Sequence, residues 1–123
     1  AERARAPAER SRAIAEREGE ARLADWIRVA LLLLRDGGTL TLVHRADRLD
    51  ALLAALLAGR AGEIVVFPLW PGPGKSAKRI LVRARKGVET PLRLAPGLVL
   101  HGPDGRFTPQ AEAVLRDGEA LVP

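Results

Sequence analysis

The sequence contains no cysteine, methionine, tyrosine or asparagine, and aromatic residues make up only 3% of its 123 residues. Without cysteine, the chain has no disulfide, no thiolate nucleophile and no Cys-ligated metal site. The two histidines, His44 and His101, have no further histidine at ligand spacing, so the sequence predicts no metal site. Serine-based hydrolysis is disfavoured too, because Ser11 and Ser76 have no evident base partner.

Long apolar runs are also absent. No stretch reaches the roughly 18 apolar residues of a membrane span, and the first residues mix arginine with glutamate, unlike a signal peptide. The 47% of hydrophobic residues nevertheless suffices for a core. We therefore expect a cytoplasmic protein without membrane contacts.

Positive charge is present in excess, with a formal net charge of +5. The excess is concentrated between residues 75 and 93, where Glu89 is the single carboxylate. The cations of this basic segment are Lys75, Lys78, Arg79, Arg83, Arg85, Lys86 and Arg93. Such a segment favours a polyanionic partner such as RNA, although a charge run is often only a solvated strand and loop.

The chain divides into a short arm and one domain. Residues 1–19, rich in alanine, arginine and glutamate, are predicted to form a flexible arm, and residues 20–123 to form the domain. From Glu20, apolar residues recur at steps of three and four, which predicts a helix that ends at the glycines after Asp36. Trp26 lies within this helix and is predicted to be a core residue.

Two strands and a second helix follow the first. Thr39–His44 has the β-branched and aliphatic composition of a buried strand. Asp47 is predicted to cap a helix that ends at Gly59. Residues 63–70 read as another strand, which Pro68 places at a sheet edge or ends near Phe67.

The last part of the domain contains a third long strand and a small tail. Residues 78–86 alternate in polarity, which predicts a strand that pairs antiparallel with residues 63–70 across a short loop. In the tail, Leu98–His101 predicts a brief strand, Gly102–Gly105 a turn, and Thr108 the cap of a helix that starts at Pro109. The fold class is therefore α/β: helix, strand, helix and antiparallel strand pair, which form part of a Rossmann-like sheet, with a strand-turn-helix tail.

Four segments of the domain can be compared with known families: LADWI (23–27), LRDGGTLTLV (34–43), AKRILVRARKG (77–87) and the tail LVLH…DGRFT (98–108). Together they resemble the later part of the tRNA adenine-N6 methyltransferases, in particular those that modify valine tRNA. The resemblance covers roughly residues 20–118. It implies that Thr39–His44 is the fifth strand of an S-adenosylmethionine-dependent methyltransferase sheet and that residues 63–70 and 78–86 form its terminal hairpin.

The residues with which that family binds its cofactor and performs its chemistry are not found in this sequence. The family binds S-adenosylmethionine on a glycine-rich turn after the first strand. Gly72-Pro73-Gly74 has two glycines at the spacing of such a turn, but it precedes a predicted strand. A cofactor-binding turn of this kind is followed by a helix. The family's Asn-Pro-Pro-Tyr motif has no counterpart either, so we expect no catalytic or cofactor-binding residue here and an amino-terminal half ahead of Ala1.

The candidate site is a set of RNA contacts at the carboxyl ends of the strands, where doubly wound sheets bind their substrates. Its six predicted members leave two strands that the sequence places side by side. They are His44, Arg45, Arg48, Lys75, Lys78 and Arg79. Trp70 could stack on a base, but its apolar neighbours favour a packing role.

Three hypotheses follow from the sequence. The first is the carboxyl-terminal portion of a methyltransferase that acts on tRNA, inactive by itself. The second is a free-standing basic RNA-binding module. The third is a structural or oligomerising half-domain, because a sheet of this kind would leave one strand edge and one apolar face uncovered for a missing half or a second copy.

Overall fold

The computed structural model describes residue 19 and residues 21–117. The predicted arm lies outside the described residues, apart from Gly19. The element order agrees with the predicted one, with one additional short strand. The elements are α1 (residues 21–33), β1 (Thr39–Arg45), a 3-10 turn (Ala46–Arg48), α2 (Leu49–Ala58), β2 (Ala61–Trp70), β3 (Arg79–Lys86), β4 (Arg93–Leu94), β5 (Leu98–Val99) and α3 (Pro109–Asp117).

The sheet has the order β1-β3-β2, with β4 and β5 on the far side of β2. β3 runs antiparallel to both long neighbours, so β1 and β2 point the same way with β3 between them. The predicted antiparallel pair is thereby confirmed. The expectation that β1 and β2 are neighbours is wrong, because β3 returns into the space between them.

Alternation along β3 divides the core into two layers. Ile80, Val82 and Ala84 face α1 and α2 and pack with Ile27, Leu31, Leu52 and Leu56, each 3% exposed or less. Leu81 faces the opposite side. There it joins the carboxyl-terminal tail in a smaller cluster of buried residues: Val65, Phe67, Leu81, Ala95 and Leu98.

The sequence predicted that Pro68 ends β2 near Phe67 or places it at a sheet edge. Both expectations are wrong, because β2 continues to Trp70 and pairs on both sides. The carbonyls of Val66 and Trp70 accept bonds from Ala95 N and Leu100 N, at 2.8 and 2.7 Å. Alternate residues of a strand direct their backbone groups to the same side, so the nitrogen of Pro68 also faces the tail. It lies in the gap between β4 and β5, and the ladder between β2 and β3 continues through Pro68 opposite Ile80.

Trp26 is not the core residue that the sequence predicts. Its side chain is 53% exposed, and Leu33 on the same face of α1 is 83% exposed. Ile27 and Leu31, on the face turned to the sheet, are buried. The helix thus carries a second apolar stripe that no described residue covers, so Trp26 lies outside the core formed by the described residues.

Asp47 does not cap α2. It lies inside the 3-10 turn, and Arg48 occupies the position before the helix without a side-chain capping bond. The Asp47 carboxylate accepts a hydrogen bond from Arg45 Nη2 at 2.5 Å instead. The short turn between strand and helix moves Asp47 out of reach of the first helical N–H groups.

The tail follows β2 beyond its carboxyl end. β5 is shorter than the predicted strand Leu98–His101, because Leu100 and His101 lie beyond its end. There, His101 N donates to Pro71 O at 3.2 Å. The predicted cap of α3 is confirmed, since Ala111 N donates to Thr108 Oγ1 at 3.2 Å. In the described part of the chain, no helix has the length and apolarity to cross a membrane.

Candidate nucleic-acid interface

Three chain segments meet at one end of the sheet. β1 and β2 both finish there, and β3 starts there, because β3 runs against the other two. The residues that follow β5 reach the same end through the bond from His101 to Pro71. All six predicted contact residues therefore lie at this end of the sheet, but they do not form a single cluster.

Arg45, Lys78 and Arg79 line one cleft of about 260 Å³, together with Ala46, Asp47 and Ala77. The cleft lies at the terminal residue pair of the β1–β3 ladder, where Arg45 is opposite Arg79. Ala46 N donates to Lys78 O at 2.9 Å and so ties the two backbones together below the side chains. The basic side chains are exposed and therefore accessible to a polyanion.

The pairing of Arg45 with Arg79 places two like charges directly opposite each other on an antiparallel ladder, which is destabilising. Asp47 offsets part of this repulsion by its ion pair with Arg45. Arg79 has no carboxylate partner among the described residues and donates to Lys78 O at 3.3 Å. The cleft thus keeps a positive excess at a cost in stability.

His44 and Arg48 lie apart from this cleft. His44 precedes Arg45 in β1 and therefore points to the opposite face of the sheet, the face of Leu40 and Leu42 that packs on the helices. Its Nδ1 is buried and has no hydrogen-bond partner among the described residues. Arg48 is half-buried at the end of the 3-10 turn.

Lys75 belongs to a second depression, the tail groove, which has a volume of about 460 Å³. The groove separates the loop after β2 from the turn at residues 102–105. Its lining consists of Pro71, Gly72, Pro73, Lys75, His101, Gly102, Pro103 and Gly105. Most of this surface is made by proline rings, glycine backbone and the His101 ring, and Lys75 supplies its only charge.

Sequence reasoning missed a ring pair beside the tail groove. The rings of His101 and Phe107 stack with centroids 4.5 Å apart and planes inclined by 27°. Phe107 is 46% exposed, and the pair closes the turn through the bridge between the same residues. In the sequence, the only indication of this pair is that Phe107, next to Arg106, lies in the same short tail as His101.

Other cations of the basic segment stabilise the fold. Arg85 donates to Glu63 Oε2 at 3.1 Å and to Gly37 O at 3.2 Å. Lys86 Nζ donates to Leu34 O at 2.8 Å, beyond the last turn of α1. Both lie at the end of β3 remote from the cleft, so the basic segment is not one continuous binding surface.

The described residues do not fit S-adenosylmethionine, the cofactor that the sequence resemblance implies. Two described connections lead from a strand into an α-helix. Ala46–Arg48, before α2, contains no glycine. The connection from β5 to α3 contains Gly102 and Gly105, but their N–H groups already donate within the turn, to Arg106 O and Gly102 O. Gly72 and Gly74 lie in the connection from β2 to β3, so they do not open a helix as such a loop does. The described part of the chain likewise holds no group of three side chains suited to a metal ion.

Comparison with known proteins links this fold to one class of enzyme. No family model matches the chain, and no curated protein matches it. Among solved structures, the chain is similar to a predicted O-methyltransferase from Agrobacterium tumefaciens, with 33% sequence identity and a TM-score of 0.74. The match covers 81% of this chain and 48% of that one, so the chain spans about half the length of its relative. The chain has a methyltransferase-like fold with part of a Rossmann-like sheet, and the similarity supports a general relationship to methyltransferases.

Proposed function

We propose that the chain is the carboxyl-terminal half of an S-adenosylmethionine-dependent methyltransferase domain that acts on RNA. The observation that carries this proposal is the convergence of Arg45, Lys78 and Arg79 at the carboxyl end of a methyltransferase-like sheet. Substrates of doubly wound sheets bind at that end. Exposed, mutually repelling cations at that place suit the phosphates of a nucleic acid.

The open edge of β1 supports the half-domain part of the proposal. Gly38 O accepts from Lys86 N, and Ala46 N donates to Lys78 O, so the even-numbered residues of β1 bond to β3. Thr39, Thr41, Val43 and Arg45 therefore direct their backbone groups outward, where no described strand pairs with them. The remaining strands of a methyltransferase sheet would satisfy these groups, and a cofactor would bind on those strands.

The sequence resemblance makes adenine N6 in tRNA the favoured acceptor. The structurally similar protein is called a predicted O-methyltransferase, so methylation of a hydroxyl oxygen is the competing reaction. A strand with a glycine-rich turn and an Asn-Pro-Pro-Tyr motif, encoded upstream of Ala1, would support the adenine acceptor. A glycine-rich turn without the Asn-Pro-Pro-Tyr motif would favour a hydroxyl oxygen as the methyl acceptor.

Binding of labelled tRNA at several salt concentrations tests the RNA part of the proposal. We expect the affinity of the chain to fall steeply with salt, and the triple variant K75A/K78A/R79A to reduce the slope of log K against log salt by about two units, at roughly 0.7 per phosphate. The matched control R22A/R28A/R35A removes three exposed arginines on or next to α1. It carries the same change in net charge.

An unchanged slope in K75A/K78A/R79A, or an equal loss in the control, would contradict the RNA site. Calorimetric titration with S-adenosylhomocysteine tests the half-domain separately, and we expect no heat of binding. Micromolar binding to this chain alone would show that the cofactor pocket has been placed wrongly.

A second candidate function, a self-associating half-domain, is favoured by the apolar stripe of α1. Trp26, Val29 and Leu33 lie at helical spacing and are 46% to 83% exposed. Apolar patches of this kind mark interaction surfaces. A dimer on sizing chromatography, combined with no RNA affinity, would support this function over the first.

A further inference from the structure

The tail groove and the ring pair beside it combine two kinds of group that bind single-stranded nucleic acid. Lys75 is exposed at the groove, and His101 belongs both to its wall and to the stack with Phe107. Bases stack on aromatic rings, whereas lysine attracts the phosphates between them. The volume of about 460 Å³ lies within the range of about 300–1,000 Å³ typical of small-ligand sites.

Phe107 is better placed for stacking than Trp70, which also lies at this end of the sheet. The indole N–H of Trp70 donates to Pro96 O at 2.9 Å, and its side chain is half-buried against the tail. Phe107 packs one ring face on His101 while 46% of the residue stays exposed. The accessible aromatic surface at the carboxyl end of β2 is therefore that of Phe107.

The position of the groove indicates which nucleotide it would take. The groove lies at the end of β2, and β3 separates β2 from β1. The open edge of β1, on the side away from β3, is where the proposed additional strands would join. Two strand spacings of about 4.8 Å put β2 and β1 about 10 Å apart. A base held at the groove is thus displaced from the side of the sheet where the cofactor-binding strands would join.

We propose that Phe107, stacked on His101 and aided by Lys75, binds an unpaired nucleotide that flanks the modified nucleotide of the RNA substrate. This inference rests on the proposed RNA function and adds to it a base-dependent contact. The cationic cleft at Arg45 and Arg79 contacts phosphates only. Affinity then has two separable parts, a salt-dependent part at the cleft and a base-dependent part at Phe107.

Two oligonucleotides of equal charge separate these parts. The probes are a 12-residue oligoadenylate and an abasic 12-mer with the same ribose-phosphate backbone. Each carries a fluorescent label, and the full chain is titrated into it while the fluorescence anisotropy is measured. We expect the oligoadenylate to bind about tenfold more tightly, the effect of one stacked base, with the same salt slope. This comparison uses the unaltered protein and so does not depend on how a variant folds.

Phe107→Ala is expected to reduce the oligoadenylate preference to near one while it leaves the salt slope unchanged. Trp26→Ala, which removes an aromatic residue exposed to a similar degree on α1, retains the preference. An equal affinity of the unaltered chain for the two probes, or a preference that survives in Phe107→Ala, overturns the stacking site but leaves the RNA function standing. If the chain binds neither probe, both proposals are wrong.

Discussion

The region around β2 is better covered than the region around β1. β2 pairs on both sides and buries residues on both faces, in the two core clusters described above. Among the described strands, β1 pairs with β3 alone, and its Val43 is 56% exposed. The neighbouring α1 turns a second apolar stripe away from the sheet. The contrast indicates that the covered region contributes most of the described core, while the uncovered region is where the proposed additional strands would join.

The largest expected effect concerns two leucines that lie in these regions. Leu52→Ala empties a fully buried position of α2, so we expect the free energy of unfolding to fall by about 2–5 kcal/mol. Leu33→Ala removes the same atoms from an 83% exposed position and is expected to change it by less than about 0.5 kcal/mol. Urea unfolding measures both. Comparable losses would mean that a partner covers α1 in solution.

Proline substitutions in β1 test its open edge. Leu42→Pro removes an N–H that bonds to β3, and we expect a loss of about 3 kcal/mol, of which Leu42→Ala measures the side-chain share. Thr41→Pro removes an outward N–H and is expected to cost less than about 1 kcal/mol. Thermal unfolding gives the comparison. A severe loss in Thr41→Pro would show that this edge is already paired.

The two tryptophans provide a smaller comparison. Trp70→Phe loses the hydrogen bond to Pro96 that holds the tail on β2, which is expected to cost about 1 kcal/mol. Trp26→Phe loses no such bond within the described structure and is expected to leave stability unchanged. Chemical denaturation measures the stability of both variants. An equal loss of stability would show that the indole N–H of Trp26 also has a hydrogen-bond partner.

The smallest effect is a gain. Arg79→Gln removes the repulsion across the β1–β3 ladder, so we expect the chain to become more stable by about 0.2–1 kcal/mol at low salt. Arg28→Gln, which removes a charge from the exposed surface of α1, serves as control and is expected to have no such effect. A loss of stability in Arg79→Gln would show that Arg79 supports the fold and is not retained for binding.

Much of the fold follows from local signals in the sequence. The alternation of residues 78–86 predicted β3, and Thr108-Pro109 predicted the start of α3. The candidate contacts were correctly expected at the carboxyl ends of the strands. Their role in binding RNA stays a prediction, as does the tRNA adenine specificity.

The failed cap at Asp47 has a local cause, the 3-10 turn at Ala46–Arg48. The other errors concern how segments pack against one another. Trp26 has the neighbours of a core residue, but burial depends on what covers the helix. Pro68 was expected to disturb a strand, although its nitrogen faces a gap in the tail. The ring pair of His101 and Phe107 forms only when the turn between them closes.

The sequence by itself determined the helices, the long strands and the absence of the family's cofactor motifs, because periodicity, caps and motif residues act over a few positions. Only the tertiary structure decided that β3 lies between β1 and β2. It also decided that three of the six candidate residues line the cleft and one lines the tail groove, while His44 and Arg48 lie apart from the cleft. It also explains Gly62, where a Cβ atom would lie 1.6 Å from the carbonyl oxygen of Val88. Strand order and close approach of this kind depend on which surfaces pack together across the whole chain, so short-range patterns do not encode them separately.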